Sequence, residues 1–288
     1  MKNTSGFVDL HVHTIYSDGT YTPEGVICMA AKENISVLAI TDHDNVDGIA
    51  KAQKIAKDYD IKVIPGIECT TTFDAPQKGT RHILGYNIDP ENEEIKKYVE
   101  RHKADRFEKV ESMLKKLRAL GMYLSMNDVI KFCLNGSLGR PHIARALIEK
   151  GYVSSKAEAF ELYIGKGKPA YCSARYTSVE EVIFTIMGAG GIPILAHPFQ
   201  MKYANIEDTE KEIIRLVNMG LKGIEMIYPE HSKNENFFLG TFALDNELYV
   251  TAGSDFHGDN KSIKLGRCFF NESKVSVNGL KKMGRTFF

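Results

Sequence analysis

Short apolar stretches alternate with longer amphipathic spans along the first ninety residues. The apolar stretches have the length of β-strands, and the spans between them place apolar residues at helical spacing. Thr22 and Pro23 are typical of a helix start, with threonine as the N-cap and proline in the first turn. Strands are predicted at 7–13, 37–41, 62–70 and 81–88, and helices at 23–33 and 46–59. The last of these strands is expected to be antiparallel or at an edge, and the others to form parallel βα units.

The pattern becomes helical after Pro90. Residues 91–120 carry one apolar stripe, and Ser125 and Ser155 each precede an acidic residue three positions later, as in a capping box. No strand pattern returns before residue 176. We therefore predict a helical insertion domain at 104–175.

The strand–helix alternation then resumes. Strands are predicted at 192–196, 223–227, 249–252 and 267–270, with a helix at 207–219. About seven strands in alternation indicate an α/β barrel, whose sites form at the carboxyl ends of the strands. The barrel domain is expected to comprise 1–103 and 176–270, and 271–288 is a polar, basic tail with no assigned structure.

Histidines and acids follow several of these strands. His11 and His13 are one residue apart on a strand and therefore point to the same face. Glu68 follows an apolar strand, where a buried lone carboxylate needs a cation. Asp18 adds a carboxylate five residues after His13. The candidate ligands at the other strand ends are His43, His197, Asp255 and His257.

These donors are too many for one ion and suit two or three divalent metal ions. Mixed imidazole and carboxylate ligands favour manganese, iron(II) or zinc. Simpler interpretations remain open for single residues: His197 as a hydrogen-bonded core histidine, Asp255 as a turn residue, and Asp42 or Asp44 as the cap of the following helix.

Composition narrows the class of protein. The chain of 288 residues has 37 basic and 37 acidic side chains, so no net charge attracts nucleic acid or membrane. No apolar run reaches the roughly 20 residues of a membrane helix. The five scattered cysteines form no CxxC pair, and no signal peptide is expected at the N-terminus. We predict a cytoplasmic protein with no membrane association and no obligate protein partner.

The motifs DLHVHTIYSDG, AITDHD, IPGIE, HILGY, LAHP and GSDFH occur in this order between Phe7 and Phe270. In these motifs and their order, the chain resembles the PHP (polymerase and histidinol phosphatase) domain family. The resemblance implies a distorted seven-stranded TIM-like barrel. The insertion and its Gly139-Arg140-Pro141-His142 motif are similar to those of stand-alone phosphoesterases that act on nucleoside 3′,5′-bisphosphates or RNA 5′ ends.

The resemblance also implies three metal subsites, and it adds His82, which by itself reads equally well as a strand-start residue. The implied subsites are His11, His13, Glu68 and Asp255; Glu68, His82 and His197; and Asp18, His43 and His257. Catalytic roles are expected for Asp18, His43, Glu68, His197, Asp255 and His257.

Basic residues of the insertion are candidate substrate contacts. Arg140, His142 and Arg145 lie near a helix start and could hold a phosphate, although Arg140 could instead pair with a surface carboxylate. Further candidates are Lys166, Lys168 and Tyr171, which also fit a solvated loop, and His231, which fits a proton donor or an exposed loop histidine.

The predicted function is metal-dependent phosphoesterase, in which a metal-bound hydroxide attacks the phosphorus of a nucleotide-type monoester or diester. The expected substrate is a nucleoside 3′,5′-bisphosphate or a short RNA. Histidinol-phosphate phosphatase is an alternative, although its cationic substrate favours an acidic pocket. A non-catalytic nucleic-acid-binding or polymerase-accessory module is an alternative of another class.

Overall fold

Seven strands follow one another around a barrel in chain order. The structure is a computed structural model that describes residues 6–72, 79–133, 137–173 and 175–288. The strands are β1 (Phe7–Asp9), β2 (Ile35–Ile40), β3 (Lys62–Thr70), β4 (His82–Tyr86), β5 (Ile192–Leu195), β6 (Gly223–Ile227) and β7 (Tyr249–Ala252). All neighbours pair in parallel except β4, which is antiparallel to both β3 and β5.

The barrel nearly closes between its first and last strands. The main-chain N–H of Leu10 donates to the carbonyl of Ala252 over 2.9 Å, and Val12 and Phe256 form a parallel bridge just beyond the strand ends. The predicted α/β, seven-stranded TIM-like barrel is therefore confirmed. The strand predicted at 7–13 ends at Asp9, because the chain leaves the ladder where the first histidines begin.

Helices pack against the outside of the barrel. They are α1 (Pro23–Lys32), α2 (Ile49–Ala56), α7 (Val179–Gly188), α8 (Ile206–Asn218), α9 (Lys233–Asp245) and α10 (Val277–Met283). Thr22 caps α1 as predicted. Sequence analysis missed α9, whose Phe237 and Leu244 are exposed while Leu239 and Phe242 are buried, so its apolar residues form no single stripe.

Residues 271–288, to which the sequence analysis assigned no structure, contain regular elements. β9 (Ser273–Lys274) pairs with β8 (Phe269–Phe270), and α10 buries Val277 and Leu280. The apolar residues of α10 are few, and their burial against the barrel stabilises a helix that its polar sequence does not predict.

Residues 99–175 form a separate compact unit, close to the predicted insertion at 104–175. Its helices are the part of α3 (Glu93–Ala119) from Val99 onward, α4 (Met126–Ile130), α5 (Arg140–Glu149), α6 (Lys156–Ala159) and a π-helical turn at Phe160–Ile164. Leu117, Val129, Ile143, Leu147 and Ile164 are buried in its own hydrophobic core. No helix of the described residues combines the length and apolar character needed to cross a membrane.

Candidate metal centre

The predicted donors meet at the rim formed by the carboxyl ends of the parallel strands. The segment after β1 is fixed between its neighbours: Thr41 N–H donates to the carbonyl of Val12, and His13 N–H donates to the carbonyl of Phe256, both over 2.9 Å. His82 reaches the same rim because β4 is antiparallel and begins there, opposite Thr70. The barrel thus gathers residues that are far apart in the chain.

Glu68 lies at the middle of this cluster and is almost fully buried. Five histidine rings surround its carboxylate. Its Oε2 lies 3.2 Å from His11 Nε2, 3.1 Å from His13 Nε2 and 3.2 Å from His43 Nδ1. Its Oε1 lies 2.8 Å from His82 Nδ1 and 3.1 Å from His197 Nε2.

Two further carboxylates complete the cluster. Asp255 Oδ1 lies 3.3 Å from His13 Nε2 and 3.3 Å from His257 Nδ1. Asp18 Oδ1 lies 3.1 Å from His257 Nε2. Asp18 is half-exposed, whereas Asp255 and His257 are buried. Asp18 therefore marks a solvent-facing side of the cluster.

Several of these atoms are buried and have no hydrogen-bond partner among the described residues. They are His11 Nε2, His13 Nε2, His43 Nδ1, Glu68 Oε2 and His197 Nδ1. Unpaired buried polar atoms are costly, and lone pairs converging on shared points are what a divalent cation binds. The residues therefore fit a metal centre.

Donor atoms within 4.8 Å of one another form three groups: His11, His13, Glu68 and Asp255; His13, Asp18, His43 and His257; and His43, Glu68 and His82. The first group has the composition of one implied subsite, and the second adds His13 to another. The third contains His43 where the resemblance implies His197, which instead approaches through its contact with Glu68. All nine predicted ligands are thus brought together, and their assignment to individual ions stays a prediction.

Charges within the cluster shift its protonation equilibria strongly. Burial disfavours the charged form of Glu68, but His43, His11 and His82 outweigh it and hold the Glu68 pKa well below its usual range. Burial lowers the pKa of His43 to about 3. Burial also opposes the protonation of His13, yet the adjacent carboxylates of Asp255 and Glu68 raise its pKa to about 9. These acids and imidazoles form an electrostatically coupled set.

Aspartates adjacent to the donors hold the loops in place. Asp42 accepts from the Thr14 N–H and hydroxyl, each over 2.7 Å, and from the Ser17 hydroxyl. Asp44 accepts from Tyr98 OH over 2.7 Å. The prediction that Asp42 or Asp44 caps the next helix is wrong, since α2 begins at Ile49 and its N-cap has no side-chain hydrogen bond.

Two donors lie on strained backbone. His197 has a φ of 26° and Asp255 a φ of 55°, a left-handed region that residues with a Cβ rarely adopt. Such strain persists only where the surroundings enforce it, and it is common at functional sites. The interpretation of His197 as an ordinary core histidine therefore explains less than a shared metal centre, whereas the φ of Asp255 also fits a turn residue.

Sequence analysis missed three residues that contact the donors. Glu225 accepts from His11 Nδ1 over 3.0 Å, Tyr228 OH donates to Asp255 Oδ2 over 3.1 Å, and Lys261 Nζ lies 2.6 Å from the same oxygen. The sequence does contain an indication for Glu225, which is the one charged residue in the apolar strand GIEMI, as Glu68 is in IPGIE. No sequence pattern indicates the contacts of Tyr228 and Lys261 with Asp255.

The predicted substrate residues of the insertion all lie in the helical unit. The Arg140 guanidinium is 5.4 Å from the ring centre of Phe160 and 5.6 Å from that of Tyr171. His142 Nδ1 accepts from Gly139 N–H over 3.1 Å and so caps its own helix, while burial and Arg145 lower its pKa. Arg145, Lys166 and Lys168 are exposed.

His231 belongs to the barrel unit and differs from an exposed loop histidine. Its Nδ1–H donates to the carbonyl of Met226 over 3.2 Å, and its Nε2 is buried with no partner in the part of the chain that the structure describes. Burial lowers its pKa, which favours the neutral ring. A neutral ring is poorly suited to proton donation, so this part of the prediction is weakened, while a substrate contact stays a prediction.

Known proteins share this sequence and fold. The PHP domain profile matches residues 9–226. The chain is 33% identical to a 5′-3′ exoribonuclease of Haemophilus influenzae, over 90% of this chain and 93% of that protein. It is also 33% identical to a 3′,5′-nucleoside bisphosphate phosphatase of Chromobacterium violaceum, over 87% of each. A crystal structure from Bifidobacterium adolescentis, assigned as a metal-dependent phosphoesterase, has a TM-score of 0.77 at 27% identity and covers 96% of both chains.

The chain belongs to the PHP domain family. The expected resemblance is confirmed, and so is the predicted class of enzyme, a metal-dependent phosphoesterase. The alternative of a non-catalytic accessory module loses its basis, because the relatives that match most of this chain are enzymes by name.

Proposed function

We propose that this protein hydrolyses a phosphate ester of a nucleotide-type substrate, either a nucleoside 3′,5′-bisphosphate or the 5′ end of a short RNA. The observation that carries the proposal is the convergence of five histidine rings on one buried carboxylate, with several donor atoms left unpaired. The names of the two relatives support the nucleotide part of the substrate.

Two or three divalent ions, manganese, iron or zinc, would be held by the nine donors. When bound, such ions activate water at neutral pH and neutralise charge on phosphate oxygens. Glu68 is proposed to serve more than one of these ions, since each of its oxygens faces at least two imidazoles. Asp18, His43 and His82 are the more exposed donors, so substrate is expected to reach the cluster from their side.

Arg140 is proposed to bind a second phosphate of the substrate. Its guanidinium lies near two aromatic rings, which orient it without neutralising its charge. His142, Arg145, Lys166, Lys168 and Tyr171 are proposed to assist within the helical unit, and His231 within the barrel unit. A cytoplasmic location is proposed on the five free cysteines.

Metal analysis combined with a phosphate-release screen tests the function. The substrates are nucleoside monophosphates, adenosine 3′,5′-bisphosphate, short 5′-phosphorylated RNAs and histidinol phosphate. We expect release from the bisphosphate or the RNA, its loss after exhaustive chelation, and its return with manganese, iron or zinc. Full activity after chelation, or preference for histidinol phosphate, would contradict the proposal.

A further inference from the structure

Glu225 is a fully buried carboxylate that the proposed chemistry does not use. It lies on β6, whose other residues are apolar and equally buried. Burying a carboxylate costs several kcal/mol unless charge and hydrogen bonds compensate. Among the described residues, its hydrogen bonds go to two of the predicted metal ligands, and these contacts indicate its role.

The two oxygens of Glu225 have separate partners. Oε1 accepts from His11 Nδ1 over 3.0 Å, and Oε2 accepts from the main-chain N–H of His197 over 2.7 Å. The second bond anchors the residue whose φ is 26°. A Cβ at Gly253 would lie 2.4 Å from Glu225 Oε1 and 2.2 Å from His11 Cβ. Only glycine at this position therefore leaves space for the carboxylate.

We propose that Glu225 is a positioning residue that fixes the His11 ring and the His197 main chain together, and so couples two of the proposed metal subsites. The inference rests on the proposed metal-dependent function. A carboxylate can only accept, so His11 must carry a proton on Nδ1. Its Nε2 lone pair then points toward Glu68 and Asp255, at 3.2 and 3.6 Å, where an ion would bind.

Only a side chain with two acceptor oxygens satisfies both partners. A glutamine offers one acceptor and one donor. If its amide donates to His11 Nδ1, the His11 proton moves to Nε2 and blocks the lone pair that faces the cluster. If the amide nitrogen instead faces His197, its N–H groups oppose the main-chain N–H of His197, and no acceptor is left for that N–H. Either arrangement weakens metal binding although the substitution keeps shape and size.

The test is Mn²⁺ binding to chelator-stripped Glu225→Gln, measured by competition with a chelator of known affinity, beside thermal unfolding of the metal-free protein. We expect Mn²⁺ affinity about 10- to 100-fold below wild type. Glu235→Gln is the matched control: it weakens the capping box of α9, far from any histidine donor in sequence, and should leave Mn²⁺ affinity unchanged. Wild-type affinity in Glu225→Gln would overturn the inference.

A second measurement uses the wild-type protein, in case the variant does not fold. Proton–nitrogen NMR of the zinc-loaded chain should show a proton on His11 Nδ1 and none on Nε2, and the opposite pattern would overturn the inference. The two proposals fail differently. If wild type itself binds no Mn²⁺, the proposed function fails; if wild type binds and Glu225→Gln binds equally, only the role of Glu225 fails.

Discussion

The barrel unit and the helical unit concentrate opposite kinds of side chain. At the barrel rim, acids and imidazoles are buried together around Glu68, and their charges shift one another's pKa values. In the helical unit, burial and the charge of Arg140 disfavour the charged form of Lys109, and Arg140 lies near two aromatic rings. One unit gathers ligand types that bind cations, whereas anion binding by the other unit is part of the proposal.

The two units also fold by different means. The helical unit is built from local signals, such as the Ser125–Asp128 capping box and the Ser155 N-cap. The donors at the barrel rim are separated by up to 246 positions, from His11 to His257, and meet only when the strands pair. The comparison predicts that substitutions in each unit affect different measurable steps.

Glu68→Gln should have the largest effect. It removes the charge that faces five histidines, so metal content and phosphate release should both fall, activity by about 10³-fold or more. Metal analysis and initial rates measure this. Glu180→Gln, on an exposed position of α7, is the control. Retention of full metal content and rate in Glu68→Gln would remove the central role of this carboxylate.

Arg140→Ala should act on substrate and leave metal content unchanged. Losing a charged hydrogen-bond donor should raise the KM for adenosine 3′,5′-bisphosphate roughly 10- to 100-fold, with little effect on a monophosphate. Arg118→Ala removes an exposed arginine of the same unit and serves as the control. Unchanged kinetics on the bisphosphate would exclude a phosphate contact by Arg140.

Ser125→Ala and Ser178→Ala form a matched pair, because each removes the N-cap of a helix in a different unit. Each should lower the free energy of unfolding by about 1 kcal/mol. Metal binding should stabilise the unfolding transition of the barrel unit, which Ser178→Ala weakens, and leave unchanged that of the helical unit, which Ser125→Ala weakens. Calorimetry with and without Mn²⁺ measures this, and equal stabilisation of both transitions would contradict it.

Lys109 should affect stability through its pKa. Burial, together with Arg140 and Arg106, lowers its pKa to about 8 from 10.5. Between these values the unfolded chain binds more protons than the folded one, so stability should rise with pH in this window. Lys109→Met should be more stable than wild type near pH 7, and the difference should shrink toward pH 10. Denaturant unfolding measures this, with Lys115→Met as the exposed control; a difference independent of pH would contradict the shift.

Much of the fold follows from local patterns. β3, β6 and β7 have the predicted bounds, because each is a short apolar run ended by polar residues or a turn. The local interpretation was wrong for Asp42 and Asp44, because Asp42 accepts from Thr14 in a neighbouring loop and Asp44 accepts from Tyr98 on α3, and neither caps the next helix. It missed Glu225 because strand membership alone does not indicate what a buried carboxylate faces.

The sequence by itself determined which donor types this protein offers and that they follow strand ends, since the period of a strand and its apolar composition are local properties. Only the tertiary structure decided that Glu68 faces five histidine rings and that His82 reaches the rim from an antiparallel strand. It also decided that Glu225 accepts hydrogen bonds from His11 and His197. The physical reason is that these contacts depend on strand pairing and burial between residues up to 214 positions apart, and no local preference encodes such a distance.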